Sequence, residues 1–215
     1  MTTITHAGAE PLELIDTKLS GNGWKVRLMA GYLNIPLKRT SLSIVDGDLE
    51  DESFALINPV RQVPVLRTRE GRWLSESPAI LWYLSERSEF LPASHAGQAE
   101  VLQWLTFEQT QHMYYFAQPR LWIALRKTMA LDDPQALAWR QSGLKALRVM
   151  QSHLTKHAYL VGERPSLADV ALYPYTSMAS EGGYDMEPYP AVNAWLERMR
   201  LLPGYTPLIS EGEGL

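Results

Sequence analysis

The spacing of apolar residues changes near residue 90, and this change most constrains the fold. Before that point the apolar segments are short and separated by turn residues, whereas beyond it they recur at helical spacing over long stretches. A chain of 215 residues is long enough for two packed domains. We therefore predict a mixed α/β domain over residues 11–88, a linker over 92–97, and an all-helical domain over 98–215.

Periodicity and turn residues predict the order β-α-β-α-β-β-α in the first domain. The first β-α-β unit predicts parallel strands, and the hairpin around Glu70-Gly71 adds an antiparallel edge. Ser77 is the expected N-cap of the last helix, with Pro78 as its first residue. The predicted segments are strands over 12–16 and 38–45, helices over 24–33 and 49–57, hairpin strands over 63–66 and 72–74, and a helix opened by Ser77.

The second domain carries only helical patterns. Pro119 is expected to kink or break the first of them, because proline lacks a backbone N–H. Ser166 and Asp169 have the spacing of a capping box, in which each side chain accepts from the other residue's amide. The predicted helices cover residues 98–127, 134–154, 166–180 and 191–201.

Composition excludes several function classes. The 20 basic and 24 acidic residues give a net charge of −4, so the basic surface needed for nucleic acid is absent. No apolar run is long enough to span a membrane, and the start lacks a secretory signal pattern, so a cytoplasmic protein is expected. The sequence has no cysteine, so any reactive thiol must come from a ligand. His153 and His157 lack nearby carboxylates, and no metal site is predicted.

Four motifs, in order along the chain, resemble the soluble glutathione S-transferases, especially their serine-type bacterial branches. The resemblance covers roughly residues 11–205 and implies a thioredoxin-like, glutathione-binding first domain and a helical domain that carries the second-substrate site. The motifs are Ser20-Gly21-Asn22 before 25–28 (KVRL), 58–66 (NPVRQVPVL) with 76–80 (ESPAI), 162–169 (GERPSLAD), and Tyr189-Pro190 with Trp195, Arg198 and Pro203.

The resemblance implies contacts for two parts of glutathione. The Val63-Pro64 bond is expected to be cis, which would expose the Val63 backbone to the cysteinyl unit. Glu76 and Ser77 stand at a helix start, where an anion is favoured. Ser77 would bind the γ-glutamyl carboxylate and Glu76 the ammonium group. The alternatives are a trans Pro64, a Ser77 that only caps its helix, and a solvated Glu76.

Ser20 is the first candidate for a donor to the glutathione sulfur. A free thiol titrates near ~8.5, so thiolate must be stabilised at neutral pH. The Ser20 hydroxyl and the following helix N-terminus would supply that stabilisation. Asn22 is the fallback donor and Thr17 a third candidate. The alternative for Ser20 is a turn or N-cap serine.

Arg61 and Gln62 precede the proline motif, and either side chain would reach the glycyl carboxylate of the tripeptide. Gln62 matches a polar position that commonly contacts the ligand in the family. Arg61 departs from the family, whose members often carry glycine or histidine there. The alternative for both residues is a solvated loop.

The second substrate is expected in the cleft between the domains, which in the family is mainly apolar. The aromatic stretch around Tyr114 and Tyr115 supplies the candidates, with Tyr115 preferred. His112 and Trp122 are further candidates, and Arg120 is a possible addition. The alternative is that these aromatic side chains fill the core or a subunit interface.

The resemblance implies an enzyme that adds glutathione, as co-substrate, to a small hydrophobic electrophile, as in detoxification. No metal is implied, and a homodimer is expected. The same family includes isomerases, dehalogenases and peroxide-reducing enzymes, which remain alternatives. A glutathione-binding or stress-regulatory protein with little turnover is a second class, and the unusual Arg61 leaves room for it.

Overall fold

The computed structural model describes residues 10–43 and 47–209. The chain divides into two compact units. Among the described residues, the first unit contains those up to 88 together with 202–209, and the second contains residues 89–201. Within the described residues, no helix is long and apolar enough to cross a membrane.

The first unit contains a mixed four-stranded sheet with the order β2-β1-β3-β4. Strand β1 pairs in parallel with β2 and antiparallel with β3, and β4 forms an antiparallel hairpin with β3. This confirms the predicted α/β, thioredoxin-like order. The elements are β1 Leu12–Asp16, α1 Gly21–Tyr32, β2 Leu37–Ser41, α2 Glu52–Ile57, β3 Val65–Arg67, β4 Trp73–Leu74 and α3 Ser77–Ser85.

Several element boundaries differ from the prediction, among them the starts of α1 and α2, the end of β2 and both hairpin strands. Helix α1 begins at Gly21, three residues before the predicted start, because Ser20 caps it and the two glycines are accommodated in its first turn. Strand β2 ends at Ser41, and the predicted end at Val45 lies outside the described residues.

The segment 202–209 packs on helix α1. The indole Nε1 of Trp24 donates to the Thr206 carbonyl at 2.7 Å. A guanidinium nitrogen of Arg27 donates to the Leu208 carbonyl at 2.6 Å. Helix α1 therefore packs against α3 and against this segment, which explains why most of its residues are buried.

Asp16 anchors the carboxyl end of β1, just before the loop that leads to Ser20. Its carboxylate is fully buried and forms ion pairs with Arg27 Nε at 3.1 Å and Arg39 Nε at 2.6 Å. Gly23 lies against the same carboxylate, because a Cβ at this position would be 2.8 Å from Asp16 Oδ2. The start of α1 is thus fixed against the central strand.

The second unit is helical, which confirms the predicted all-α half. A single helix was predicted over 98–127. The structure instead alternates between α-helical and π-helical segments there. Pro119 is the last residue of one α-helical segment, as expected for a residue without an N–H. The elements are α4 His95–Phe107, a π turn over 108–112, α5 Met113–Pro119, a π turn over 120–125, α6 Pro134–Leu154, α7 Leu167–Ser177 and α8 Pro190–Arg200.

Asp169 forms the predicted capping box at the start of α7. Its carboxylate accepts from the Ser166 amide at 2.8 Å, which satisfies an otherwise unpaired donor. It also accepts from the Leu160 amide and from Trp195 Nε1, each at 2.9 Å. Burial raises the pKa of Asp169, and these donated bonds act in the opposite direction. The residue therefore joins α7 to a loop and to α8.

Candidate active site

Ser20 caps helix α1, and its side-chain oxygen Oγ acts only as an acceptor in the capping bond. Its backbone is extended, with φ −72° and ψ 122°, and its Oγ accepts from the Gly23 N–H at 3.1 Å. The hydroxyl hydrogen is not used by this bond, so the same oxygen remains able to donate. The capping and donor interpretations of Ser20 are therefore compatible, and the side chain is half-buried.

Lys25 joins the starts of α1 and α3. The side chain is fully buried. Its Nζ donates to Asn22 Oδ1 at 2.8 Å and lies 3.4 Å from Ser77 Oγ. Sequence reasoning missed this residue, although its position three residues after Asn22 on the same helix was visible. The structure thus brings together two predicted site residues through a third that was not predicted.

Glu76 is the N-cap of α3, which corrects the prediction that Ser77 holds this position. Glu76 has φ 67° and ψ 112°, so the helix begins one residue earlier than the Ser-Pro pattern suggests, with Ser77 first and Pro78 second. Ser77 does not cap the helix with its hydroxyl, which faces Lys25 instead. The Ser77 amide and the positive end of the helix dipole form a place where an anion is favoured.

The Val63-Pro64 bond is cis, as the resemblance implies. Pro64 is buried and Val63 half-buried, and β3 begins at the next residue. Val65 lies opposite Ile15 on the central strand β1. Asn58 supports the preceding loop, because its side-chain amide donates to the Gln62 carbonyl at 2.8 Å.

The Arg61 guanidinium is occupied by two carboxylates. It contacts Glu50 Oε2 at 3.1 Å and Glu52 Oε1 at 2.8 Å, and it also donates to the Glu50 carbonyl at 2.6 Å. The bond to Glu52 raises the pKa of Arg61. Arg61 therefore binds residues next to and at the start of α2 in this structure, whereas the neighbouring Gln62 side chain is exposed.

The predicted second-substrate residues separate into core and surface positions. His112 is fully buried, which favours the alternative in which this side chain fills the core. Its Nε2 lies 2.9 Å from Thr176 Oγ1, and its ring stacks on Phe116 at 4.2 Å. Arg120 is also buried, and its Nε donates to Glu181 at 2.8 Å.

The remaining three aromatic candidates retain accessible surface. The Tyr114 side chain is 47% exposed and packs edge-on against Tyr115. Tyr115 is half-buried, and its carbonyl accepts from the Tyr184 hydroxyl at 2.7 Å. Trp122 is half-buried, and its Nε1 donates to Gln118 Oε1 at 3.1 Å. Helical spacing identified the aromatic stretch but did not separate these positions from His112.

A metal site is not found in the part of the chain that the structure describes. In residues 10–43 and 47–209, no group of three or more His, Asp or Glu side chains is arranged to hold a metal ion. The His153 and His157 rings stack on each other, with centroids 4.5 Å apart.

Comparisons with known proteins find a family match within each of the two units. Residues 19–87 match the family described as "Glutathione S-transferase, N-terminal domain", and residues 113–203 match "Glutathione S-transferase, C-terminal domain". A solved structure of a glutathione S-transferase from Pseudomonas fluorescens Pf-5 is 38% identical. That match has a TM-score of 0.90 and covers 94% of this chain and 100% of that one.

Curated relatives with different activities are more distant. The maleylacetoacetate isomerase of Rattus norvegicus is 29% identical over 184 residues, which cover 81% of each protein. The disulfide-bond oxidoreductase YghU of Escherichia coli is 25% identical, over 95% of this chain and 75% of the relative. The related activities therefore include transfer, isomerisation and disulfide chemistry.

Proposed function

Because the chain belongs to the glutathione S-transferase family, we propose that it binds glutathione and activates the thiol as thiolate for attack on a small hydrophobic electrophile. One observation carries the proposal. Asn22 in the first turn of α1 is linked through the buried Lys25 to Ser77 at the start of α3, and Ser20 caps the same turn of α1. Two helix N-termini and their polar side chains thus offer donors for the thiolate and for the γ-glutamyl carboxylate of glutathione.

Glutathione would occupy the first unit in an extended conformation. The Ser77 amide and hydroxyl bind the γ-glutamyl carboxylate, and the exposed Glu76 accepts from its ammonium group. The Val63 backbone beside cis-Pro64 meets the cysteinyl unit. Gln62 is the preferred contact for the glycyl carboxylate, because Arg61 is held by Glu50 and Glu52.

Ser20 stabilises the nucleophile and is not itself one. Lowering the thiol pKa by about two units requires ~2.7 kcal/mol of preferential stabilisation of the thiolate. A hydroxyl donor, an amide donor from Asn22 and the α1 dipole are of sufficient magnitude together. The released proton passes to solvent, which leaves the sulfur with a reactive lone pair.

In the transfer step, the thiolate attacks an electrophilic carbon and a C–S bond forms. A leaving group departs with its bonding electrons, or, in an addition, the adjacent carbon takes up a proton. Tyr115, Tyr114 and Trp122 are the proposed apolar contacts for this substrate, because they combine aromatic surface with accessibility. Binding both reactants raises their effective concentration, which is the main source of acceleration for an already activated nucleophile.

Isomerisation is the second candidate activity, because a curated relative at 29% identity is named a maleylacetoacetate isomerase. The same thiolate would add to a carbon–carbon double bond and leave after rotation, so glutathione would be regenerated. Disulfide reduction, dehalogenation and peroxide reduction also start from the thiolate. A panel of an aryl halide, a conjugated cis-diacid, a disulfide and a hydroperoxide separates these activities from a weakly catalytic binding protein.

We also propose that the protein is a cytoplasmic homodimer, following the family. Homodimers with twofold symmetry are the commonest closed assembly of soluble chains. Sedimentation equilibrium measures the assembly mass directly. A mass equal to one chain at micromolar concentration would contradict the dimer without affecting the glutathione site.

The decisive experiment is glutathione titration by calorimetry, with ultraviolet detection of bound thiolate, on wild type and Ser20→Ala. Ser94→Ala is the matched control, because Ser94 caps α4 through the Gly97 amide at 3.1 Å, the same bond that Ser20 makes to Gly23. Each variant is expected to lose about 1 kcal/mol of stability from its lost cap. Only Ser20→Ala is expected to lose the thiolate signal.

The outcomes separate the hypotheses. Binding without thiolate in wild type would favour a non-catalytic glutathione-binding protein. A thiolate that survives Ser20→Ala would transfer the donor role to Asn22 or to the backbone. Absence of binding in wild type would reject the proposed function and leave only the shared fold.

A further inference from the structure

Lys25 is a buried cation that contacts both Asn22 and Ser77, two predicted ligand-binding residues. Its side chain has 0% relative exposure, a state that lysine rarely adopts. Removing an ammonium group from water costs several kcal/mol even after relaxation. An apolar side chain at this position of α1 would avoid that cost, so the contacts made by the ammonium group are the feature to explain.

The contact to Asn22 determines which way its amide points. An ammonium group carries donors and no acceptor, so the Asn22 atom 2.8 Å from Nζ must be the oxygen Oδ1. The amide nitrogen Nδ2, with its two hydrogens, is then directed away from Lys25. Asn22 is thereby presented as a donor.

The contact to Ser77 has the same consequence. Ser77 Oγ lies 3.4 Å from Lys25 Nζ and acts as the acceptor, because the ammonium cannot accept. The hydroxyl hydrogen of Ser77 is then left to donate to another group. One buried cation thus sets the polarity of two hydrogen-bonding side chains, on α1 and on α3.

We infer that Lys25 is a positioning residue that orients the Asn22 amide as a donor to the glutathione thiolate and the Ser77 hydroxyl as a donor to the γ-glutamyl carboxylate. This inference rests on the proposed function. Lys25 acts on the sulfur through Asn22, rather than as a charge that attracts the thiolate directly. That distinction is measurable, because an indirect effect disappears when Asn22 is removed.

The test is a pH titration of bound thiolate by ultraviolet absorption in wild type, Lys25→Met, Asn22→Ala and the double variant. Lys25→Met is expected to raise the apparent pKa of the bound thiol by about one unit, a roughly tenfold loss of thiolate below that pKa. The double variant is expected to show no larger shift than Asn22→Ala alone. Lys38→Met, which removes an exposed cation from β2, is the control and is expected to leave the titration unchanged.

A second pair of variants covers the case in which Lys25→Met does not fold. Lys25→Arg keeps a group that only donates, and Lys25→Gln introduces an amide that both donates and accepts. Arginine is therefore expected to retain most of the thiolate signal, and glutamine to lose it. Equal signals in these two variants would overturn the inference.

The remaining outcomes are equally distinct. An unchanged thiol pKa in folded Lys25→Met would overturn the positioning role. A Lys25→Met shift in the thiol pKa that is equally large with and without Asn22 would also overturn it, because it would indicate direct attraction between Lys25 and the thiolate. Wild type that binds no glutathione would instead reject the proposed function, and the inference with it. Wild type that forms thiolate but does not respond to Lys25→Met would reject the inference alone.

Discussion

Glu76 has a left-handed backbone at the point where the chain enters α3. A φ of 67° in a residue with a Cβ costs ~1–2 kcal/mol, and Glu76 makes no capping bond with its side chain that would offset this cost. Strained residues of this kind concentrate at ligand sites. The strain supports a functional role for Glu76, whose side chain is exposed beside the Ser77 amide.

Replacing Glu76 with glycine separates strain from binding. Glycine adopts a positive φ without steric cost, so Glu76→Gly is expected to change the free energy of unfolding by less than ~1 kcal/mol. If Glu76 accepts from the γ-glutamyl ammonium as proposed, its loss is expected to weaken glutathione binding by roughly tenfold or more. Thermal melting and calorimetry measure the two quantities. Glu76→Ala is the control, because alanine keeps the strain. It should be less stable than Glu76→Gly and lose a similar amount of glutathione affinity. Wild-type affinity in both variants would refute the contact between Glu76 and the ammonium group.

Asp169 is a structural residue, and its substitution tests that assignment. Asp169→Ala leaves buried N–H groups of Ser166, Leu160 and Trp195 without their acceptor. We expect the free energy of unfolding to fall by about 2–4 kcal/mol, measured by urea denaturation, with glutathione affinity unchanged. Normal stability with lost binding would contradict the structural role.

Single residues also show which structural features the sequence predicts and which it does not. The types and spacing of Ser20, Ser77 and Asp169 were enough to predict that they lie at helix starts. The burial of Lys25 and His112 was not predictable, because it depends on the residues brought against them from α3 and α7. Helical spacing assigns a residue to a face, and only tertiary packing decides whether that face is covered.

Among the helices, α6 depends on a close approach at Gly143. A Cβ at this position would lie 2.2 Å from the hydroxyl oxygen of Tyr184. That hydroxyl donates to the Tyr115 carbonyl in α5, and burial raises the pKa of Tyr184 above its ordinary range, so it stays protonated. Gly143 therefore allows one tyrosine to lie between two helices.

Gly143→Ala is expected to destabilise the protein by about 1–3 kcal/mol through overpacking. Removing the obstructing oxygen in Gly143→Ala/Tyr184→Phe should recover part of that loss, so the two substitutions should not be additive. Urea denaturation of the two single variants and the double variant measures the coupling. Strict additivity would show that the Tyr184 hydroxyl is not the obstructing group.

The element order was predictable and the helix interiors were not. Alternation between short apolar segments and turn residues was enough to predict the four strands and three α-helices that the structure describes in the first unit. The π turns over 108–112 and 120–125 escaped prediction, because one extra residue per turn leaves the local composition unchanged. Proline marks the second of these turns, and no comparable signal precedes the first.

On the scale of the whole molecule, the first unit is built from two separate parts of the chain. Residues 202–209 cover α1, where they accept from Trp24 and Arg27. Gly204 has φ 86° and passes so close to α1 that a Cβ on Gly31 would lie 2.3 Å from the Gly204 carbonyl oxygen. Sequence position gave no indication of this return, because a loop after the last helix carries no periodic pattern.

Truncation after Leu201 is expected to destabilise the first unit selectively. Loss of the two hydrogen bonds and exposure of the Trp24 ring should lower its stability by about 2–4 kcal/mol. Hydrogen exchange is the measurement, with faster exchange expected for amides of α1 and unchanged exchange for those of α7. Equal protection of α1 in both proteins would show that the segment contributes nothing to the unit.

The return of residues 202–209 to α1 also determines when the first unit can be completed during synthesis. Domains generally fold as they emerge from the ribosome, beginning at the N-terminus. Here the sheet and its helices emerge early, but the groups that accept from Trp24 and Arg27 are translated more than a hundred residues later. One side of α1 in the nascent first unit therefore stays uncovered until the helical unit has been made.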